Sequence, residues 1–155
     1  MKKKVTIARA LKEKNRLAGK LSATRRLIGE ENSKEKKIPR GIDVKATYVE
    51  AEMLMQQMIA IKTAIASANH PIVGTIIELD EVKSELAWLQ GLDTREGKFT
   101  VGRAGTQPYI DEFDAVINKG EVLAAIDALQ KRADALQDTL DEFNATTRIE
   151  IEMDA

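Results

Sequence analysis

The first half of the chain carries two stripes of hydrophobic positions with helical spacing. Between about Lys4 and Gly29 they recur every three or four residues, which predicts a helix that Gly29 ends. A second stripe follows Asp43, a candidate N-cap, and ends before Pro71. A connection of about fourteen residues lets two such helices fold back on each other. The sequence therefore predicts a long antiparallel helical hairpin over residues 1–70.

Two further helices are predicted in the second half of the chain. Thr75 and Glu78 have the spacing of a capping box, which predicts a short helix over residues 75–91. Strict heptad spacing predicts another over residues 121–144, and Asn144 can take the left-handed conformation that closes a helix. The heptad positions are Val122, Ile126, Leu129, Ala133, Leu136, Leu140 and Phe143. Because this seam is narrow, a partner helix must cover it.

The Gly-rich segment between these helices fits two structures. Residues 98–101 alternate as a strand does, and residues 113–117 can supply its partner in a hairpin over residues 97–118. Read from Tyr109, the same residues also fit a short helix opened by Pro108. We predict the hairpin.

The predicted fold class is mainly α, a long antiparallel helical hairpin or bundle of about four helices with a small accessory β-hairpin or sheet. We expect a single helical domain over residues 1–155, with a terminal strand over residues 146–152. Composition favours long helices over a sandwich or barrel, because the chain has only six aromatic residues and three prolines.

The chain lacks the residues that several kinds of catalytic and metal-binding site require. The chain has no cysteine, which excludes disulfides, thiolate nucleophiles and Cys-ligated metals. We interpret His70, the single histidine, as a helix-ending residue. Residues 102–106 resemble a phosphate loop but lack the Gly-Lys-Ser/Thr ending, so we predict a hairpin turn there. We therefore predict no catalytic residue, no metal, no cofactor and no enzymatic activity.

No long apolar segment is visible. The basic start of the chain is not followed by the apolar core of a signal peptide. The longest uncharged stretch is shorter than the ~20 residues that span a bilayer. We expect a cytoplasmic protein with no membrane span.

Charge is segregated along the chain. Residues 1–40 carry fourteen Lys or Arg and four Glu, whereas residues 121–155 carry nine acids and three bases. In one interpretation the basic first helix and the acidic fourth helix pack near each other, in one chain or across a dimer. In the other, the basic quarter binds phosphate groups, without sequence specificity because it has no aromatic side chain to stack on bases.

Three segments carry a resemblance to a known family: Ile61–Asn69, Thr75–Leu79 and Leu140–Thr147. These segments, together with the order of the helices, resemble the septicolysin-like proteins, a bacterial family of small helical proteins. The resemblance implies a helical, oligomeric bacterial protein. It carries over no catalytic residue.

We predict a non-enzymatic structural or interaction module, a homo-oligomeric coiled-coil-like assembly or adaptor. The predicted oligomer contacts are Tyr48, Met55, Met58, Leu129, Leu136, Leu140 and Phe143. The alternative is sequence-independent nucleic-acid binding, with phosphate contacts at Arg25, Arg26, Lys36 and Lys37. A holdase-like helical hairpin is a third class, kept by analogy of architecture.

Overall fold

A computed structural model describes residues 2–152 and confirms a mainly α fold with small antiparallel sheets. In chain order the elements are β1 (Lys2–Thr6), α1 (Ile7–Glu31), α2 (Val44–Ala68), a 3₁₀ turn (His70–Ile72), α3 (Val73–Gly91), β2 (Gly97–Val101), β3 (Tyr109–Phe113), α4 (Lys119–Thr146) and β4 (Arg148–Glu152). The sequence pattern predicts one domain, whereas the chain divides into two compact units. We name them the terminal unit, residues 2–73 and 141–152, and the central unit, residues 74–140.

The terminal unit is built on the predicted helical hairpin. Helix α2 folds back along α1, and Lys20 of α1 forms an ion pair with Glu50 of α2 at 3.0 Å. Strands β1 and β4 pair antiparallel, with Lys2 opposite Glu152 and Thr6 opposite Arg148. The buried core is shared by the two helices and β4: Ala10, Leu17, Leu21, Ala51, Leu54, Met58, Ile61, Ile65 and Ile151. The sheet therefore completes the hydrophobic core of the hairpin.

Side-chain caps define where these two helices begin. The Thr6 hydroxyl accepts a hydrogen bond from the Arg9 backbone N–H at 3.2 Å. The Asp43 carboxylate accepts one from the Ala46 N–H at 3.1 Å, which confirms the predicted cap of α2. At its other end α1 differs from the prediction, because it continues through Gly29 to Glu31. A right-handed glycine inside a helix costs only about 1 kcal/mol relative to alanine, so Gly29 does not force a stop.

The central unit contains α3 and most of α4. Three residues of α3, Leu79, Val82 and Leu86, form a buried cluster with Ala133 of α4. The heptad positions that pack against this cluster are Ile126, Leu129, Leu136 and Leu140. An ion pair between Arg132 and Glu78 also joins the two helices. The seam of α4 from Ile126 to Leu140 is thus covered by a helix of the same chain.

The start of α3 and the end of α4 both differ from the sequence prediction. Helix α3 begins at Val73, directly after the 3₁₀ turn, so Thr75 lies inside the helix and forms no capping box. Pro71 stands in the first turn of the 3₁₀ segment, where proline is favoured, and the chain enters α3 without a break. Helix α4 continues through Asn144 to Thr146, so Asn144 is right-handed and does not close it.

The Gly-rich segment forms the predicted hairpin rather than the alternative short helix. The partner of β2 is residues 109–113 and not residues 113–117, since Gly97 pairs with Phe113 and Val101 with Tyr109. The turn sets this register. It is closed by a hydrogen bond of 3.0 Å from the Thr106 N–H to the Arg103 carbonyl, with Gly105 at a φ of 90°.

One face of this hairpin holds a small aromatic cluster. The rings of Phe99 and Phe113 meet edge to face, with centroids 5.9 Å apart. The Arg95 guanidinium lies 4.1 Å from the centroid of the Phe113 ring, and Asp93 holds it by an ion pair of 2.5 Å. Because an isolated two-stranded hairpin is only marginally stable in water, this cluster supplies contacts that the strands alone lack.

Candidate interaction surface

Helix α2 is hydrophobic on two opposite sides. Its inner side is buried against α1 and β4. Its outer side exposes large apolar side chains: Tyr48 at 55%, Val49 at 52%, Met53 at 57% and Ile59 at 51%. A helix that is hydrophobic all round is normally buried on all sides. The outer side of α2 is therefore our candidate interaction surface.

The exposed residues of this side follow a regular spacing. We define the outer seam as six exposed positions separated by 4, 3, 4, 3 and 4 residues: Val49, Met53, Gln56, Ala60, Thr63 and Ser67. None of the six is charged. A shallow groove of about 570 Å³ runs beside the seam, lined by Val49, Glu52, Met53, Gln56, Gln57, Ala60 and Glu152. The seam thus has the residue spacing of a contact between two helices, and it borders a groove.

Helix α3 shows a smaller version of the same feature. Leu86 and Leu89 on its inner side are buried. On its outer side Ile77 and Trp88 are 58% and 54% exposed. An exposed tryptophan on a helix offers a large contact area for a partner. The central unit therefore carries an exposed apolar surface of its own.

The predicted contact residues of α2 take different places. Tyr48 lies on the outer side, whereas Met58 is buried in the core of the terminal unit. Met55 is partly buried and packs against that core. Together with Arg25 and Tyr48, it lines a small pocket of about 180 Å³ between α1 and α2.

The predicted contact residues of α4 are all partly buried. Leu129, Leu136 and Leu140 pack against the core of the central unit, and Phe143 belongs to the terminal unit. An oligomer contact through any of them stays a prediction.

The sequence interpretation missed the outer seam. Its signal is the uncharged run from Met53 to Ile61, which covers more than two turns and leaves every side of the helix without a charge. One side of such a run packs inside the subunit, and the other is free for a contact.

The four predicted phosphate contacts do not converge on one point. Arg25 lies in the small pocket beside Tyr48, whereas Arg26 forms an ion pair of 4.0 Å with Glu30. Consecutive residues of a helix point about 100° apart, which separates the two guanidinium groups. Lys36 and Lys37 are exposed in the loop between α1 and α2.

The loop that carries these lysines is organised by Glu31. Its carboxylate accepts hydrogen bonds from Lys34 Nζ at 2.5 Å and from the Gly41 N–H at 2.8 Å. Arg40 Nε donates to the Glu31 carbonyl at 2.9 Å. The hydrogen bond from Lys34 is the main cause that lowers the pKa of Glu31, followed by the bond from Gly41. These hydrogen bonds hold the loop in a conformation in which Lys36 and Lys37 are exposed.

The other perturbed pKa values belong to the aromatic cluster of the hairpin. The hydrogen bonds from Arg95 lower the pKa of Asp93, and Asp93 in turn raises the pKa of Arg95. Both groups are fully charged at neutral pH. They act as a clamp on the hairpin and line a shallow pocket of about 450 Å³, together with Glu96, Phe99 and Lys119.

Groups suited to metal binding are absent from the part of the chain that the structure describes. Between residues 2 and 152, no three His, Cys, Asp or Glu side chains come together in a group that could hold a metal ion. His70 is exposed in the 3₁₀ turn. Across the same residues, no helix is long and apolar enough to cross a membrane.

The two units also differ in net charge. Residues 1–73 and 141–155 contain 17 Lys and Arg against 12 Asp and Glu. Residues 74–140 contain 7 Lys and Arg against 13 Asp and Glu. The terminal unit is therefore net positive and the central unit net negative.

These features define a mainly α protein of two helical units, each with one two-stranded antiparallel sheet. No known protein family, curated protein or solved structure matches the chain. The septicolysin-like resemblance accordingly stays a prediction.

Proposed function

We propose that the protein is a non-enzymatic structural or interaction module of the cytoplasm that works as a homo-oligomeric assembly or adaptor. The observation that carries this proposal is the outer side of α2, where four large apolar side chains are each more than half exposed. Monomeric proteins rarely expose contiguous apolar patches larger than a few hundred Å². Covering apolar surface in a contact stabilises the contact by about 25 cal/mol per Å². Self-association covers such a patch on every copy at once.

The geometry supports a scaffold better than a catalyst. The outer seam lies on a regular helix beside a shallow groove, and the titratable groups with shifted pKa values are exposed ion pairs. Catalytic sites instead bring titratable groups together in a cleft. A rigid helix with an uncharged stripe is suited to binding another helix.

Light scattering coupled to size-exclusion chromatography tests the proposal. We expect an oligomeric mass at tens of micromolar. Met53→Glu should yield a monomer, because it places a carboxylate in the middle of the contact. Leu123→Glu is the matched control, since Leu123 is equally exposed on α4 but lies outside α2, and it should keep the wild-type mass. A monomeric wild-type mass at these concentrations contradicts the proposal.

Sequence-independent nucleic-acid binding is the second candidate function. It is favoured by the positive charge of the terminal unit and by the exposure of Lys36 and Lys37 in an ordered loop. In a gel-shift assay, four phosphate contacts should give a slope of about −3 to −4 in log K against log salt concentration.

Charge reversal separates this candidate from the oligomer proposal. Lys36→Glu with Lys37→Glu should weaken binding more than Arg25→Glu with Arg26→Glu, because Arg25 lies partly inside a pocket and Arg26 pairs with Glu30. Lys98→Glu with Lys131→Glu in the central unit is the charge-matched control. No retention of duplex or single strands at low salt would end this candidate.

A further inference from the structure

The outer seam of α2 has the features of a contact between two helices. From Val49 to Ser67 it extends about 27 Å at ~1.5 Å per residue. The 4-3 spacing places its six residues on one side of the helix, as in two-stranded helical contacts. Ala60, Thr63 and Ser67 are small, and small side chains at a contact allow the short end of the usual ~8–10 Å between helix axes. A second helix can therefore lie along this side.

The charges beside the seam are arranged asymmetrically about Gln56. Between Val49 and Ser67 the charged residues are Glu50 and Glu52 before Gln56, and Lys62 after it. In an antiparallel pair centred on Gln56, the partner's Ala60 lies level with Glu52. The partner's Lys62 is then only two residues, or about 3 Å, further along the axis. In a parallel pair, each Glu52 would instead lie level with the partner's Glu52.

About the same centre, Val49 is related to Thr63 and Met53 to Ile59, which lies beside the seam. In the antiparallel pair Met53 lies level with the partner's Ile59, so the large exposed side chains share one region of the contact. Gln56 meets the partner's Gln56 at the centre, where each amide can donate and accept a hydrogen bond. A polar residue at one position of a helical seam fixes the register of the pair. The flanking charges and the central glutamine are therefore complementary to those of a second, reversed copy.

We propose that the outer seam of α2 binds the same seam of a second copy of this chain, antiparallel and with Gln56 at the two-fold axis. This inference rests on the homo-oligomer proposed above and names its interface. The two-fold contact is closed, because both copies use the same surface.

Cysteine cross-linking tests the orientation, because the chain has no cysteine of its own. Under mild oxidation Gln56→Cys should form disulfide dimers at least about tenfold faster than Ser84→Cys, a control at an exposed position of α3. Val49→Cys alone should be no faster than the control. Its two copies lie about 21 Å apart, whereas a disulfide needs Cα atoms within ~7 Å. A mixture of Val49→Cys and Thr63→Cys should cross-link rapidly.

A charge exchange tests the same geometry without cross-links. Glu52→Lys and Lys62→Glu should each raise the dimer dissociation constant about threefold to tenfold, and the double variant should restore it. Circular dichroism verifies that the helix content of each variant is unchanged.

The outcomes separate this inference from the proposed function. A monomeric wild-type mass overturns both. An oligomeric mass without rapid Gln56→Cys cross-linking overturns the α2 interface alone. Rapid cross-linking of both Gln56→Cys and Val49→Cys with themselves indicates a parallel pair and overturns the antiparallel arrangement. Loss of affinity in the double charge variant beyond either single variant also contradicts it.

Discussion

Two isoleucines on α2 provide a direct test of which side of the helix is occupied. Ile61 is 3% exposed and lies in the core of the terminal unit, whereas Ile59, two residues earlier, is 51% exposed on the outer side. Alanine at either position removes the same three carbon atoms from the same helix. Any difference in the free energy of unfolding therefore reports the packing of the side chain.

The expected magnitudes differ several-fold. Removing three buried carbon groups at about 0.8 kcal/mol each, with a cavity left behind, makes Ile61→Ala cost about 3 kcal/mol. Ile59→Ala loses about half of the transfer free energy, and alanine recovers about 0.4 kcal/mol through its higher helix propensity. Its cost in the isolated subunit should therefore stay below about 1 kcal/mol.

Urea denaturation followed by circular dichroism measures both values, at protein concentrations below and well above the association range. The cost of Ile61→Ala should be the same at both concentrations. The cost of Ile59→Ala should grow at the higher concentration, because only the oligomer buries Ile59 and oligomer stability depends on concentration. Equal costs for the two variants at low concentration would refute the assignment of inner and outer sides.

The remaining predictions concern local clamps. Arg95→Ala should speed amide hydrogen exchange in the hairpin. Because the pKa of Asp93 is held below its ordinary 3.8, the clamp is complete above that pH and is lost as the pH falls through the lowered pKa, which exchange at acid pH will show. Glu31→Gln should speed exchange at the Gly41 N–H, which loses its charged acceptor. Asp43→Ala should destabilise the terminal unit by about 1 kcal/mol in urea denaturation, whereas Asp43→Ser should retain most of the stability because serine also caps.

The helices were the predictable part of this fold. Apolar spacing and the Asp43 cap place α2 to within a residue, because both signals are local. The strand β4 was also predicted from its alternation. Its partner β1 was not, because Lys2–Thr6 lies next to α1 and its basic residues conceal the alternation. A strand of this kind is defined by its partner about 140 residues away, which a local pattern does not contain.

The candidate surface was less predictable for a related reason. The heptad seam of α4 indicates a helix partner but not whose helix it is, and α3 of the same chain covers it at Leu79, Val82 and Leu86. Helix α3 is apolar on several sides, which hides its inner side in the sequence. On α2 the run from Met53 to Ile61 carries no charge on either side of the helix, so periodicity alone does not distinguish Met58 from Met53.

The pairing of β1 with β4 affects how this chain folds as it is synthesised. The central unit is one continuous stretch of sequence, so all of it is translated before β4. The terminal unit must wait for β4, which at ~5–20 residues per second arrives roughly 7–30 seconds after β1. For that interval β1 has no strand partner and the core side of α2 lacks the cover that β4 provides, so the nascent chain is open to chaperones.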